Sequence, residues 1–383
     1  MTLALYIHWP FCLAKCPYCD FNSHVRDAVD IEQWRAALLA DLAHEAAAAG
    51  PGTIGSIFFG GGTPSLMPPG LVADMIGAAA GHWTLADDVE ITLEANPSSV
   101  EAARFADLAL AGVNRVSLGL QALDDEALKF LGRLHDSAEG LAALDVAQRH
   151  FRRVSFDLIY ARPGQTTAAW EAELTRALGF GTGHLSLYQL TIEPGTRFAT
   201  LAREGSLVPL EEDPSAEMFA LTGAITASAG IPRYEVSNHA RAGEQSRHNL
   251  TYWRYGDYIG IGPGAHGRRG AVATTRHRKP ENFLSAVSAA GHGIAEARPL
   301  TPETQAAEAL MMGLRLDEGI DIAGLSRRFG LPHEALIDPG RLALYESLGL
   351  VRGTDQRVMV TEAGMPLLDA LLGELVPASL VAA

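Results

Sequence analysis

Cys12-Leu13-Ala14-Lys15-Cys16-Pro17-Tyr18-Cys19 holds every cysteine of this 383-residue chain. The stretch follows an apolar run, Leu3–His8, that reads as a strand. Three thiolates at C-x3-C-x2-C spacing suit three irons of a [4Fe–4S] cluster and leave the fourth iron without a protein ligand. A cluster that only passes electrons ordinarily takes four cysteines. An iron left open is a place for a small molecule to bind, as at catalytic metals generally. The competing readings are a zinc site completed by His24 and inert buried thiols.

The rest of the chain bounds the setting. Its 383 residues suffice for one large core and a smaller domain. Hydrophobic content of 48% and charged content of 20% are those of an ordinary globular protein, and no apolar run reaches membrane-spanning length. The start of the chain, Met1-Thr2-Leu3-Ala4-Leu5-Tyr6-Ile7-His8, has no basic segment followed by a signal-type apolar stretch. Together with an odd cysteine count, this points to a reducing compartment, and the cytoplasm is the expected location. A net charge of −15 disfavours nucleic acid or an anionic membrane as the main partner.

Apolar, β-branched runs recur at Leu3–His8, Ile54–Phe59, Val89–Glu94, Val113–Leu120, Val154–Tyr160 and His184–Leu190. Helical stretches lie between them, among them Glu32–Ala49, Leu71–Ala80, Val100–Leu110 and Ala138–His150. Alternating strands and helices with near-continuous apolar strands predict a parallel sheet covered by helices. Six units fall short of the eight that close a complete barrel, so the expected fold class is α/β with a partial (β/α)6 barrel. Gly60-Gly61-Gly62-Thr63, Glu94-Ala95-Asn96-Pro97, Gly119-Leu120-Gln121 and Asp157 fall at strand ends, on the rim where parallel sheets place ligands. The expected domains are a barrel core over 1–196, an extension over 197–299 and a helical domain over 300–383. In the extension, one acidic helix (Ala216–Ala229) precedes a Gly/His/Arg-rich stretch. The last domain, with helices near Pro302–Leu314, Ile322–Phe329 and His333–Ser347 and a short hairpin, suggests a winged helix. Residues 300–383 hold six Arg, no Lys and twelve Asp or Glu, the wrong sign for phosphates, so a packing or lid role is expected there.

With these motifs placed, the chain resembles the radical-SAM superfamily, in which S-adenosylmethionine (SAM) fills the open iron site. More narrowly, it is similar to the oxygen-independent coproporphyrinogen III oxidases and their relatives, the HemW-type heme chaperones. Tyr6-Ile7-His8-Trp9-Pro10-Phe11-Cys12, Gly60–Ser65, Glu94–Pro97, Gly112–Gln121, Leu131-Gly132-Arg133, Asp157-Leu158-Ile159, Pro163–Thr166, Glu193–Thr196 and Gly260–Ala265 carry the likeness. Ala161-Arg162-Pro163 departs from the usual Gly-Leu-Pro. The resemblance implies that Cys12, Cys16 and Cys19 hold the cluster. It also puts Tyr6, Gly62 and Thr63 in contact with SAM, and Tyr18 against its adenine, with shielding of the cluster from solvent as the competing role for Tyr18. Glu94, at a strand end, is suited to accept from the SAM amino group or ribose, against a plain rim salt bridge. Gln121, Arg133 and Asp157 match SAM-contacting positions, against a structural hydrogen-bond network. Glycines at Gly60–Gly62 let the backbone approach a ligand, with N–H and C=O groups free to bond it.

Two features separate chaperone from oxidase. The oxidases carry a fourth cysteine where this chain has Phe21, and they extend upstream of the cluster, whereas eleven residues precede Cys12 here. His248-Asn249-Leu250-Thr251-Tyr252-Trp253 matches the H-N-x-x-Y-W motif that the resemblance ties to heme binding. His248 is then the iron ligand, with Tyr252 and Trp253 on the porphyrin face and Arg247, Arg241 and Arg254 near the propionates. As a strand the segment would turn Trp253 away from His248; as a helix it would group all three. An irregular loop at the barrel mouth is the expected form. His8, His184, His239 and His266 are secondary candidates. The expected function is heme trafficking to acceptor hemoproteins, with those of the respiratory chain as the expected recipients. The alternative is oxidative decarboxylation of coproporphyrinogen III. A homodimer, and peripheral membrane contact through an acceptor, stand open on this reading.

Overall fold

In the computed structural model, which describes residues 2–26, 28–354 and 356–381, each of the six apolar runs forms a strand. They are β1 (Thr2–Trp9), β2 (Thr53–Gly61), β3 (Thr84–Ala95), β4 (Arg115–Gln121), β5 (Arg153–Tyr160) and β6 (His184–Gln189). They pair in parallel and in chain order, β1 to β6. Helices α1 (Ile31–Ala49), α2 (Pro69–His82), α3 (Ser137–His150) and α4 (Thr167–Leu178) cover one face. Three of them begin on a side-chain cap. Asp30, Asp136 and Thr166 accept from the backbone N–H three residues on, which satisfies a donor the helix start leaves free.

The strands alternate, contrary to the expectation of near-continuous apolar runs. Leu3, Leu5, Ile7 and Trp9 of β1 pack with Trp34, Leu38 and Leu42 of α1. Their neighbours Tyr6 and His8 face the other way, as do Ser56 of β2, Glu94 of β3, Ser117 of β4 and Asp157 of β5. Gly61, Glu94, Ser117, Asp157 and Leu187, from five successive strands, border one cavity, so the sheet curls around a lumen. One face is a dry helix-covered core and the other a polar interior.

Residues 197–299 hold more structure than one acidic helix. They supply α5 (Glu212–Ser228), α6 (Arg247–Trp253) and α7 (Pro280–Ala290). They also supply strands β7 (Arg233–Glu235), β8 (Asn238–Ala240), β9 (Tyr258–Ile261), β10 (His266–Arg269), β11 (Val272–Arg276) and β12 (Ile294–Pro299). The sheet order among the described residues is β12-β11-β10-β9-β1-β2-β3-β4-β5-β6-β8-β7. β9 joins β1 in parallel, and the remaining added pairings are antiparallel. The two end strands, β12 and β7, do not pair with each other, so the barrel stays open, and β7 makes one antiparallel bridge, Glu235 to Leu316. Beyond residue 300, α8 (Pro302–Gly313) and later helices pack with a three-stranded antiparallel sheet around a second apolar cluster. Tyr255, between α6 and β9, belongs to that cluster and bonds Glu308, which ties the extension to the C-terminal helices.

A buried ionic knot fastens the extension to α1. The Arg276 side chain is fully enclosed, with Nε 2.8 Å from Asp41 and Nη2 2.7 Å from Glu45. Asp41 also accepts from the backbone N–H of Gly262 and of Gly293. Removing one member strands the rest in a dry site. D41A should therefore cost about 3–5 kcal/mol, the range for breaking a buried pair. Chemical denaturation of the cluster-free protein checks this, with the exposed-pair variant E281A, which loses only the contact to Arg26, shifting the midpoint little.

Candidate functional site

The cysteine loop is held where it leaves β1. Gly62 N–H donates to Trp9 O at 2.7 Å and Thr63 N–H to Phe11 O at 2.8 Å, so the turn after β2 lies directly against the loop. A Cβ on Gly62 would stand 2.7 Å from Phe11 O, and one on Gly61, whose φ is +114°, would meet the His8 ring. Glycine is required at both positions. Of the N–H and C=O groups expected to meet a ligand here, the N–H groups of Gly61, Gly62 and Thr63 are already engaged within the protein, the first by Glu94 Oε2 at 3.2 Å.

A cavity of about 640 Å³ opens at the C-terminal ends of the strands. Cys12, Cys16, Cys19, Tyr18, Gly62 and Thr63 border it from the loop side; Glu94, Gln121, Arg133 and Asp157 border it from the strand side. Cys12 Sγ accepts from Thr63 Oγ1 at 3.4 Å, and Cys16 Sγ from Arg133 Nη1 at 3.3 Å. Burial pushes the Cys12 and Cys19 thiols up in the apo protein. Among the described residues, no three His, Cys, Asp or Glu side chains converge as the ligands of one metal ion would. His24 Nε2 shares a hydrogen bond with Asn22 Oδ1. Thiols that border one cavity without meeting at one point fit a cluster, in which each sulfur takes a different iron, better than a zinc ion.

Behind the cysteines runs a continuous polar chain. Arg133 Nη2 reaches Asn96 Oδ1 at 2.5 Å and Gly119 O at 3.0 Å, and Asn96 Nδ2 donates to Thr63 Oγ1 at 3.1 Å. Arg133 Nε is buried without a partner among the described residues, and the Tyr18 phenol faces the same guanidinium. Gln121 ends β4 at φ 70°, a left-handed conformation that costs a non-glycine residue about 1 kcal/mol or more. Asp157 Oδ1 accepts from Ser117 Oγ at 3.3 Å. Burial and the charge of Asp157 raise Glu94 to about 8, and burial raises Asp157 to about 6. The two carboxyls thus hold protons at neutral pH more readily than ordinary acids, a state a bound cation would reverse.

Residue reading missed Asn96, Ser23 and Tyr188. Asn96 was visible as the polar residue before Pro97 at a strand end. Ser23 Oγ lies beside Cys12 and Cys19, where a hydroxyl favours their thiolates. Tyr188 borders this cavity and the one adjoining it, its side chain open to both beside Asp157 and Glu235.

A second cavity, of about 770 Å³, adjoins the first and shares Phe21, Gly61, Glu94 and Tyr188 as wall. Tyr6, Tyr252 and Trp253 border it. His248 does not. The segment expected as a loop is the helix α6, capped at its start by Ser246, and Glu90 accepts from the N–H groups of Arg247 and His248. His248 is only 2% exposed, with Nδ1 3.2 Å from Ser56 Oγ and Nε2 2.7 Å from the Tyr252 hydroxyl. Its ring stacks on Phe58 at 4.8 Å, and burial pushes it down to about 3. Both nitrogens of a neutral ring are therefore in use. His8 and His184 likewise have both nitrogens bonded, and His239 is bonded through Nδ1 to Thr226. Arg247 and Arg254 pair with Asp88 and Glu318, and Arg241 does not line the cavity either.

The departure at Ala161-Arg162-Pro163 has a local answer. Ala161 takes φ 56°, where glycine is at ease, and Arg162 pins the loop through Glu173 at 2.6 Å.

Comparison with known proteins agrees with this geometry. The radical SAM superfamily model matches residues 6–176, and the HemN C-terminal domain model matches residues 300–367. The chain is 43% identical over 326 residues to the mitochondrial radical S-adenosyl methionine domain-containing protein 1 of Bos taurus, covering 83% of this chain and 74% of that one. It is 42% identical over 291 residues to the heme chaperone HemW of Escherichia coli K12, covering 74% and 75%. To HemW of Bacillus subtilis it is 33% identical over 376 residues, covering 97% and 99%. Among solved structures, the coproporphyrinogen III oxidase HemN of Escherichia coli superposes with a TM-score of 0.83 at 21% identity, covering 97% and 89%, which shows the shared fold.

A folded-state carboxyl at about 8 against an ordinary 4.5 binds its proton over that window while the unfolded chain does not. Stability of the cluster-free protein should then fall as pH rises from 4.5 through about 8, with Asp157 contributing only up to about 6. E94Q should flatten the decline above about pH 6, read as the denaturation midpoint against pH. An unchanged slope would mean that Glu94 is already ionised.

Proposed function

Since this chain belongs to the radical SAM superfamily, among the HemW-type relatives of the oxygen-independent coproporphyrinogen III oxidases, we propose that it is a heme chaperone. It binds a [4Fe–4S] cluster, SAM and heme, and hands heme to acceptor hemoproteins, those of the respiratory chain foremost. What supports the reading is 33–42% identity to proteins named heme chaperone HemW, together with two adjoining cavities, one bordered by three cysteines and one by aromatics. Cys12, Cys16 and Cys19 hold the cluster, which when bound supplies an open iron for SAM and a source of single electrons.

The chain's own residues define the rest. Arg133 places positive charge against Cys16 and is itself positioned by Asn96 and Gly119. Glu94 gives up its proton when a sulfonium and ammonium enter, so binding SAM releases a proton near neutral pH, and Asp157, lower at about 6, meets the cation already largely ionised. Tyr18 closes the loop side of the pocket. We place the protein in the cytoplasm; among the described residues no helix is long and apolar enough to cross a membrane.

Protein prepared without oxygen should be brown, with an EPR signal on reduction that changes when SAM is added. The C12S/C16S/C19S variant should lose both while keeping its helical circular dichroism. Anaerobic incubation with coproporphyrinogen III, SAM and a reductant should leave the porphyrinogen unchanged, and hemin should titrate to one equivalent. Formation of protoporphyrinogen would establish the oxidase reading in place of the chaperone.

A further inference from the structure

The second cavity has a histidine of its own. His266, at the start of β10, borders it and is exposed, and no group among the described residues hydrogen-bonds its ring. His8, which also borders the cavity, and His184 and His248 have both ring nitrogens in bonds within the protein, while His239, bonded through Nδ1 to Thr226, does not border it. Facing His266 across the same space are Tyr252, Trp253 and Tyr258, flat apolar surfaces of the kind a macrocycle packs on. Arg278 borders it with no carboxylate partner among the described residues; Arg268 is buried over the Tyr255 ring and donates to Gly256 O, and Arg315, over the Trp253 ring at 5.9 Å, pairs with Asp369 at the surface. A free guanidinium at the rim of an aromatic cavity suits a ligand with an apolar body and carboxylate arms. Its acidic neighbour Glu235 is held by Asn238 and pushed up by burial, so it opposes such a ligand little.

We infer that heme occupies this second cavity with His266 as the ligand to iron, while His248 is a structural residue that braces Tyr252. The assignment rests on the heme-chaperone reading and refines where the cargo sits. His248 could reach iron only by giving up its bonds to Ser56 and Tyr252 and its stacking on Phe58, inside a packed core.

Hemin and metal-free protoporphyrin IX separate the ligand from the pocket. With the full chain carrying its cluster, difference spectra follow each titration. His266→Ala should weaken hemin binding by roughly tenfold or more and shift the Soret band, and added imidazole should restore the band position. The same variant should bind metal-free protoporphyrin IX as the parent does, because the aromatic walls are intact. His248→Gln, which can still bond Tyr252, should keep the parent Soret position. A His266→Ala protein with an unchanged Soret band would overturn the assignment, and a shift in His248→Gln alone would return the iron to His248. Failure of the parent chain to bind hemin would instead defeat the chaperone reading itself.

Discussion

The close backbone contact between residues 9–11 and 62–63 is the constraint on which the candidate site depends. Two hydrogen bonds, Gly62 to Trp9 and Thr63 to Phe11, join the exit of β1 to the turn after β2 with no room for a Cβ at Gly62. That contact sets where the cysteine loop begins. From it the polar chain runs outward: Thr63 to Cys12, Asn96 to Thr63, Arg133 to Asn96 and to Cys16. Three strands thus reach two of the cysteines through side chains that position one another, which is how a site is held rigid without being filled by apolar packing.

Much of the barrel was legible because its outer face obeys one rule. Leu3, Leu5, Ile7 and Trp9, like Ile91 and Leu93 or Val116 and Leu118, must be buried against helices, and that requirement marks each strand in the sequence. The inner face was not legible. Ser56, Glu90, Thr92, Arg115 and Ser155 are as buried as the apolar residues beside them, yet in sequence they look like surface positions. They are tolerated because they satisfy one another, as Arg153 does Glu90 and Ser155 does His184. Only the folded lumen supplies those partners.

The extension shows the limit more sharply. Its strands are three to six residues long and mostly antiparallel, too short for an alternation to declare itself. Their register comes from distant groups, such as Arg276 reaching Asp41 and Glu45 on α1. For the same reason, residues 247–253 looked like a loop among glycines and arginines. What makes them a helix is the Ser246 cap and the Glu90 carboxylate at its start, the second supplied by a strand more than 150 residues earlier. The grouping of His248 with Tyr252 was readable as one alternative. That the pair bond each other and leave the iron-binding nitrogen occupied was not, since it depends on Ser56 and Phe58 from β2.

The shared wall between the two cavities gives the architecture its sense. Glu94 and Tyr188 border both spaces, so the protonation of Glu94 is felt on either side. Raised to about 8 by burial and by Asp157, this carboxyl is mostly neutral near pH 7 until a cation arrives in the first cavity. Its charge is thus set by what lies in the first cavity, while the second keeps its aromatic and arginine lining whatever that carboxyl does.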